Sequence, residues 1–166
     1  NATELARVVD RCIRESKALD FKKLVIEEGS KVWFVFIDIY VANDCGNLFD
    51  ASSLGALGAL LNTKVPKLED GKVVKGEYAG RLEVSKMPLL TTFAKIENSI
   101  VLDPALDEEK AMDARLSIGT TEERLISAMQ KGLGGSFKQA EIEQCIDIAF
   151  EKSEELRDGL KKALKG

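Results

Sequence analysis

One run of the sequence, residues 32–41, is apolar on both faces of an extended chain. Successive side chains of a strand point to opposite faces, and Asp38 is the only charged residue on either face of this run. A strand that is apolar on both faces is covered on both faces in a folded protein. The run therefore predicts a central, buried strand.

The segment after this run has the pattern of a turn followed by a buried helix. Residues 43–47 contain Asn, Asp and Gly, which favour turns. The stretch from Ala51 to about Leu61 carries no charged side chain and has leucines at helical spacing. Asp50 precedes it and is predicted to be its N-cap. We interpret residues 31–62 as a strand–turn–helix unit around which the remaining elements are organised.

Two further segments show the spacing of amphipathic helices. The first is predicted from Thr3 to about Lys17 and the second from about 137 to 164. Ser136 and Gln139 have the spacing of a capping box at the start of the second helix. One helix therefore opens the chain and another closes it.

Strands are predicted between these helices. A short strand is predicted at 24–26, a hairpin turning at Asp70-Gly71, and several consecutive strands between about 87 and 131. The acidic residues 107–109 are interpreted as part of a surface loop rather than a cation site. Consecutive strands with helices gathered on a sheet predict an α+β fold, in one domain over residues 1–166.

The composition restricts the chemistry. The chain has 166 residues, a net charge of -4 and no histidine, which excludes Ser-His-Asp and Cys-His catalysis and nearly all zinc sites. Its three cysteines are widely spaced, as expected of free thiols in a reducing compartment, and we expect a cytoplasmic protein. No signal peptide or membrane span is visible. Because the chain begins with Asn rather than Met, we expect it to be a piece of a longer protein or a processed product.

The first predicted helix carries a row of arginines. Arg7, Arg11 and Arg14 are spaced i, i+4 and i+7, so they share one side of the helix. Acidic residues on the same helix favour a solvated face as the interpretation from the residues alone. The other interpretation is a row of cations for phosphates, whose oxygens match the guanidinium fork.

Seven ungapped blocks, in a fixed order, carry a resemblance to a known family. They lie at 4–11, 14–20, 32–41, 46–52, 62–66, 92–96 and 128–132. They resemble the C-terminal portion of archaeal exosome ring subunits of the RNase PH class, in particular the non-catalytic RNase-PH-like subunit. This resemblance covers essentially all 166 residues and implies an RNase PH-like domain, a mixed sheet packed with helices, without the N-terminal half of the family.

The resemblance implies that two catalytic features are missing. Active members of the family have a Gly-Gly-Thr/Ser-Arg phosphate grip, which aligns with residues 45–48, and Leu48 stands at the arginine position. Active members also have a catalytic aspartate at the position of Lys86, before Met87-Pro88. A lysine cannot act as that general acid at neutral pH without a large pKa shift. We therefore expect no catalytic residue, cofactor or metal in this chain.

The resemblance also implies a function. Arg7 and Arg11 would face a neighbouring catalytic subunit and help to hold an RNA 3′ end, and Arg14 joins them on spacing alone. The expected partners are a catalytic sister subunit in a hexameric ring, RNA-binding cap proteins and single-stranded RNA. The chain itself would support 3′-to-5′ phosphorolytic RNA degradation without performing the chemistry.

Two alternatives stay open at this point. One is a self-sufficient phosphorolytic or metal-dependent 3′ exoribonuclease that uses Asp38, Asp44 or Asp50. The other is a structural interaction module that does not contact RNA.

Overall fold

Four α-helices and eight strands follow one another in the computed structural model, which describes residues 2–165. A short 3-10 helix, Phe21–Leu24, follows the first helix. The helices and strands are α1 (Ala2–Glu15), β1 (Val25–Glu27), β2 (Lys31–Val32), α2 (Leu48–Asn62), β3 (Lys64–Glu69), β4 (Lys72–Arg81), β5 (Leu89–Ile96), β6 (Ser99–Leu102), α3 (Leu106–Ala111), β7 (Ala114–Thr120), β8 (Ile126–Gly132) and α4 (Gln139–Lys165).

The core is built on an antiparallel sheet in the order β6-β5-β7-β8. Helices α1 and α2 pack on one face, where Leu90 and Ala128 join their buried side chains in one apolar cluster. Helix α4 packs on the other face, where Phe93 and Ile118 meet Cys145 in a second cluster. Two faces covered by helices explain why β5 and β7 are buried along almost their whole length. The predicted α+β fold, with consecutive strands and a closing helix, is confirmed.

The predicted central strand at residues 32–41 is wrong for this structure. Only Lys31 and Val32 belong to a strand, which pairs with β1, and residues 33–41 have no strand neighbour within the described part of the chain. Phe34, Phe36 and Tyr40 are 76%, 83% and 91% exposed. The pattern shows that both faces of this run favour burial, but a buried strand also needs neighbouring strands and covering layers. The described residues supply no neighbouring strand for 33–41, and they cover only one face in part: Val35 packs against the cluster of α1 and α2, whereas Phe34 and Phe36 are left exposed.

Three smaller predictions also need correction. Helix α2 begins before Asp50, and its N-cap is Asn47, whose side chain accepts from the Asp50 N–H at 3.3 Å. Asn47 has a φ of +46°, a left-handed conformation that asparagine tolerates better than most residues. The acidic residues 107–109 do not lie in a loop but in the first turn of α3. The helix dipole favours negative charge in that turn.

The predicted capping box at Ser136 and Gln139 is displaced by two residues. Helix α4 begins at Gln139, and the backbone N–H of Lys138 donates to Glu141 Oε2 at 2.7 Å. This is the reciprocal half of a capping box, in which a glutamate reaches back to the residue before the helix. The predicted hairpin at Asp70-Gly71 is confirmed as β3 and β4.

Candidate nucleic-acid interface

Helix α1 lies over the end of the sheet formed by β7 and β8. Its buried stripe is the predicted one, with Val8, Val9, Cys12 and Ile13 all in the core. Every second residue of β8 faces α1, because these residues pair with the residues of β7 that face α1. They are Ala128, Gln130 and Gly132. The opposite side of α1 carries the arginines, of which Arg7 and Arg14 are exposed and Arg11 is half-buried.

A buried arginine fixes α1 on the sheet. Arg115 Nη2 of β7 donates to Glu4 Oε1 of α1 at 2.5 Å, and its guanidinium lies 4.0 Å from the ring centre of Phe49 in α2. A Cβ at Gly132 would lie 2.7 Å from Arg115 Nη2, so a larger residue there would displace this guanidinium. Arg115 therefore joins both helices to the sheet, which gives the arginine side of α1 a defined orientation.

The three predicted arginines have different surroundings. Arg7 is exposed and has no ion-pair partner among residues 2–165. Arg11 is half-buried, and its Nη1 donates to Gln130 Oε1 at 3.3 Å, a neutral acceptor. Arg14 is exposed but lies 3.3 Å from Asp10 Oδ2 and 2.7 Å from Glu15 Oε1. The structure therefore presents Arg7 and Arg11 as cations without an acidic partner, whereas two carboxylates share the charge of Arg14.

Gln130 is the residue of this surface that the pattern along α1 could not identify. It is 119 residues from Arg11 in the sequence, and only the fold brings the two side chains together. The sequence offers one signal for Gln130, which is that it lies in the block 128–132 that carries the family resemblance. That resemblance assigns no role to the glutamine.

The start of α2, where the resemblance places the phosphate grip, is occupied by the chain's own carboxylates. The N–H groups of Gly46 and Asn47 donate at 3.0 Å to Asp44 Oδ1 and Glu109 Oε1, respectively. The Asn47 side-chain amide donates to Asp103 Oδ1 at 2.6 Å and to Asp50 Oδ2 at 2.8 Å. Leu48 adds no donor. An incoming phosphate would meet donors that are already used and a concentration of like charge.

Gly46 is required by this arrangement. Its φ is +106°, and a Cβ there would lie 2.5 Å from the carbonyl oxygen of Pro104. The loop before α2 is thus held close against the chain between β6 and α3, which brings Asp103 and Glu109 to the start of the helix. The carboxylates are part of the packing of this loop.

Lys86 also has an acidic neighbour. Its Nζ lies 2.7 Å from Glu123 Oε2, and the N–H of Met87 donates to Glu122 Oε2 at 2.8 Å. At the position where active family members have a catalytic aspartate, this chain therefore has an ion pair between two loops.

The three aspartates of the nuclease alternative are not brought to one site. Asp38 is exposed on the segment without a strand neighbour, and Asp44 is exposed in the loop before α2. Asp50 Oδ1 instead accepts from the Thr92 hydroxyl at 2.7 Å, and its Oδ2 accepts from the Thr92 N–H at 2.8 Å. Within residues 2–165, no group of three or more His, Cys, Asp or Glu side chains is arranged to hold a metal ion.

Asp50 provides a test of this arrangement through pH. Burial raises the pKa of its carboxyl group above the usual value, and the hydrogen bonds from Thr92 only partly oppose this. The folded state therefore binds the proton more tightly than the unfolded state, and this contribution to stability is lost as pH rises through the raised pKa.

We expect Asp50→Asn to gain stability relative to the unsubstituted chain as pH rises from below about 3.9, the ordinary aspartate value, to neutral. The measurement is the free energy of unfolding by urea across this range. Asp44→Asn, which removes one exposed carboxylate from the loop before α2, is the matched control. A difference between Asp50→Asn and the parent chain that stays constant with pH would contradict the assignment.

Comparison with known proteins identifies the class. Sequence models of the 3′ exoribonuclease family match residues 1–66 for its first domain and residues 86–152 for its second. The chain belongs to this family, that of RNase PH, which confirms the resemblance. None of the helices in residues 2–165 has the length and apolar character needed to cross a membrane.

Its relatives include proteins of the archaeal exosome. The chain is 52% identical over 169 residues to "Exosome complex component Rrp42" of Thermococcus kodakarensis, covering 99% of this chain and 62% of that protein. Its fold matches a solved "Archaeal exosome core" with a TM-score of 0.89 and 43% identity, over 97% of this chain and 64% of the other. An exosome of Archaeoglobus fulgidus with RNA bound to the active site matches with a TM-score of 0.86 and 41% identity, over 96% and 61%. The chain spans about three fifths of the length of the curated relatives it matches.

Proposed function

We propose that this chain is a non-catalytic subunit of an archaeal RNA exosome core ring. It would support 3′-to-5′ phosphorolytic RNA degradation by structuring a catalytic sister subunit and by contributing RNA contacts. The names of the relatives and the matched exosome structures support the assembly. The observation that carries the non-catalytic part is the start of α2, where carboxylates take the donors that a phosphate would need.

The RNA contacts are assigned to the exposed side of α1. Arg7 and Arg11 are its two cations without an acidic partner in residues 2–165, and Arg14 extends the row at one end. Exposed ion pairs are worth about 0–1 kcal/mol, so Asp10 and Glu15 can give up Arg14 to a phosphate at small cost. Such contacts position a single strand without reading its sequence. We therefore assign single-stranded RNA, without sequence preference, to this surface.

The partners and the compartment follow from the same proposal. The chain would work in the cytoplasm beside a catalytic RNase-PH-like sister subunit in a hexameric ring, together with RNA-binding cap proteins. The exposed aromatic side chains of residues 34–40 support the proposal that the chain is part of a complex, since contiguous apolar surface of this kind marks interaction sites. As a structural unit, residues 1–166 would form one partial RNase PH-like domain.

The non-catalytic role predicts the behaviour of the purified chain. Alone, it should release no nucleoside diphosphates from single-stranded RNA in the presence of phosphate, because it has neither the anion site nor the general acid. Mixed with a catalytic RNase-PH-class subunit, it should form a larger species by native mass spectrometry that does release them. Phosphate-dependent release by the chain alone, abolished by a substitution at Leu48 or Lys86, would overturn the proposal in favour of a self-sufficient nuclease.

One observation favours the structural module without RNA contact as a second candidate. The charge of Arg14 is shared by two acids, and Arg11 is held against the fold, so a solvated face explains part of the row. That candidate predicts that the assembled ring binds RNA equally well when the arginines of α1 are replaced. The first experiment of the Discussion separates the two.

A further inference from the structure

We propose that Gln130 is a positioning residue, which orients the guanidinium of Arg11 toward RNA while leaving its charge unneutralised. This inference rests on the proposed function, because it assigns a role to Gln130 in the RNA contact made by α1. It concerns the face of β8 that lies toward α1, to which the proposed function has so far given no role.

The geometry supports a single orientation of the Gln130 amide. Its Nε2 donates to the carbonyl oxygen of Lys131 at 3.0 Å, and its Oε1 accepts from Arg11 Nη1 at 3.3 Å. An amide has a donor end and an acceptor end, and here each end faces a complementary group. Rotating the amide would place an NH2 group against a guanidinium and an oxygen against a carbonyl. The oxygen is therefore held toward Arg11.

The site is fixed from below. Gln130 lies on β8 between Ala128, which packs in the core under α1, and Gly132, which makes room for Arg115. Arg115 in turn is bonded to Glu4 of α1. The strand and the helix are thus joined on either side of the Gln130–Arg11 contact, so the position of the guanidinium is defined by the fold and not only by one hydrogen bond.

The charge of the acceptor decides how much of the charge of Arg11 stays available, and Arg14 on the same helix offers a comparison. Two carboxylates hold Arg14 and share its charge, whereas a neutral amide holds Arg11. A neutral acceptor uses one of the five donors of the guanidinium and leaves the full positive charge and the remaining donors for a phosphate. A glutamate at the same position would form an ion pair with Arg11 that is partly buried and therefore less screened by solvent than the exposed pairs of Arg14. The difference between Gln and Glu at position 130 is therefore the difference between a charged and a neutralised RNA contact.

The test is Gln130→Glu in the complex of this chain with a catalytic RNase-PH-class subunit. The probe is fluorescein-labelled oligoadenylate of about ten nucleotides, within the range of single-strand binding sites. We expect binding about fivefold weaker, as for the loss of one phosphate contact of about 1 kcal/mol, and a salt slope smaller by about 0.7. The KM for RNA in phosphorolysis should rise with kcat unchanged. Gln144→Glu, the same change at an exposed position of α4 on the other face of the sheet, should bind as the parent does.

Two further variants separate positioning from a general loss of structure. Gln130→Met keeps the length of the side chain without an acceptor, so binding should weaken about threefold with an unchanged salt slope, because the charge of Arg11 remains. In an Arg11→Ala background, Gln130→Glu should have no further effect on the slope. If Gln130→Glu does not fold, the Gln130→Met variant carries the test, and parent-like binding by it would overturn the proposal.

The outcomes distinguish this inference from the function on which it rests. If Arg7→Ala with Arg11→Ala leaves RNA binding unchanged, the proposed RNA role fails and Gln130 has nothing to position. If the arginine variants bind weakly but Gln130→Glu binds with the parent slope, only the role of Gln130 is overturned. An equal loss of slope for Gln130→Glu with and without Arg11 would also overturn it, because the effect would then not pass through Arg11.

Discussion

Replacing Arg7 and Arg11 together by alanine is expected to weaken RNA binding by the assembled ring about thirtyfold at physiological salt. The estimate assumes two phosphate contacts of about 1 kcal/mol each, the upper end for exposed ion pairs. Neither arginine has an acidic partner within residues 2–165, so little of their charge is used inside the chain. The salt slope of binding should fall by about 1.4, or about 0.7 for each contact to a single strand.

The measurement is fluorescence anisotropy of labelled oligoadenylate at several salt concentrations, with the assembled complex. Lys161→Ala with Lys162→Ala is the matched control, since it removes two exposed positive charges from α4, which covers the opposite face of the sheet. The control should keep the parent slope, because a general change in net charge is shared by both variants. A slope unchanged by the arginine substitutions would leave the structural module without RNA contact as the better function.

The parts of the fold that could be predicted are those that local pattern defines. Helix α1, the hairpin at Asp70-Gly71 and the strands between 87 and 131 follow from periodicity and turn residues within each segment. Residues 32–41 failed because periodicity reports which faces favour burial and not whether neighbouring strands are present. The prediction of Asp50 as the N-cap of α2 failed for another reason, since the N-cap is Asn47. A left-handed N-cap depends on its contacts with Asp103 and Asp50, and the first of these is 56 residues away.

The candidate site divides in the same way. The common side of Arg7, Arg11 and Arg14 follows from helical spacing, and the pairing of Arg14 with Asp10 is an ordinary i,i+4 contact. The hydrogen bond from Arg11 to the neutral amide of Gln130 and the acceptance of an N–H at the start of α2 by Glu109 are both contacts between residues far apart in the sequence. No spacing rule within one element predicts them. The sequence therefore indicates which helix side carries charge, and the fold decides which of those charges stays available.

Arg157→Met is expected to lower the free energy of unfolding by about 3 kcal/mol, because it leaves buried carbonyl groups without donors. Arg157 is 3% exposed; its Nε donates to the carbonyl oxygen of Met87 at 2.8 Å, and its Nη2 to that of Thr120 at 2.7 Å. Nη2 also donates to the Thr120 hydroxyl, which lies 2.7 Å from Ser153 Oγ. Burial lowers the pKa of the guanidinium, but arginine remains charged at neutral pH. The side chain thus joins α4 to the residues just before β5 and at the end of β7.

Thermal unfolding followed by circular dichroism should show a Tm lower by about 10 °C, as expected for 3 kcal/mol in a domain of this size. Arg124→Met is the matched control: Arg124 is exposed, and its guanidinium lies 4.7 Å from the ring centre of Phe150, a contact worth about 0.5–1 kcal/mol. Equal losses for the two variants would mean that the donors of Arg157 are replaced by water in the folded state. A much larger loss for Arg157→Met would instead establish it as the link that holds α4 on the sheet.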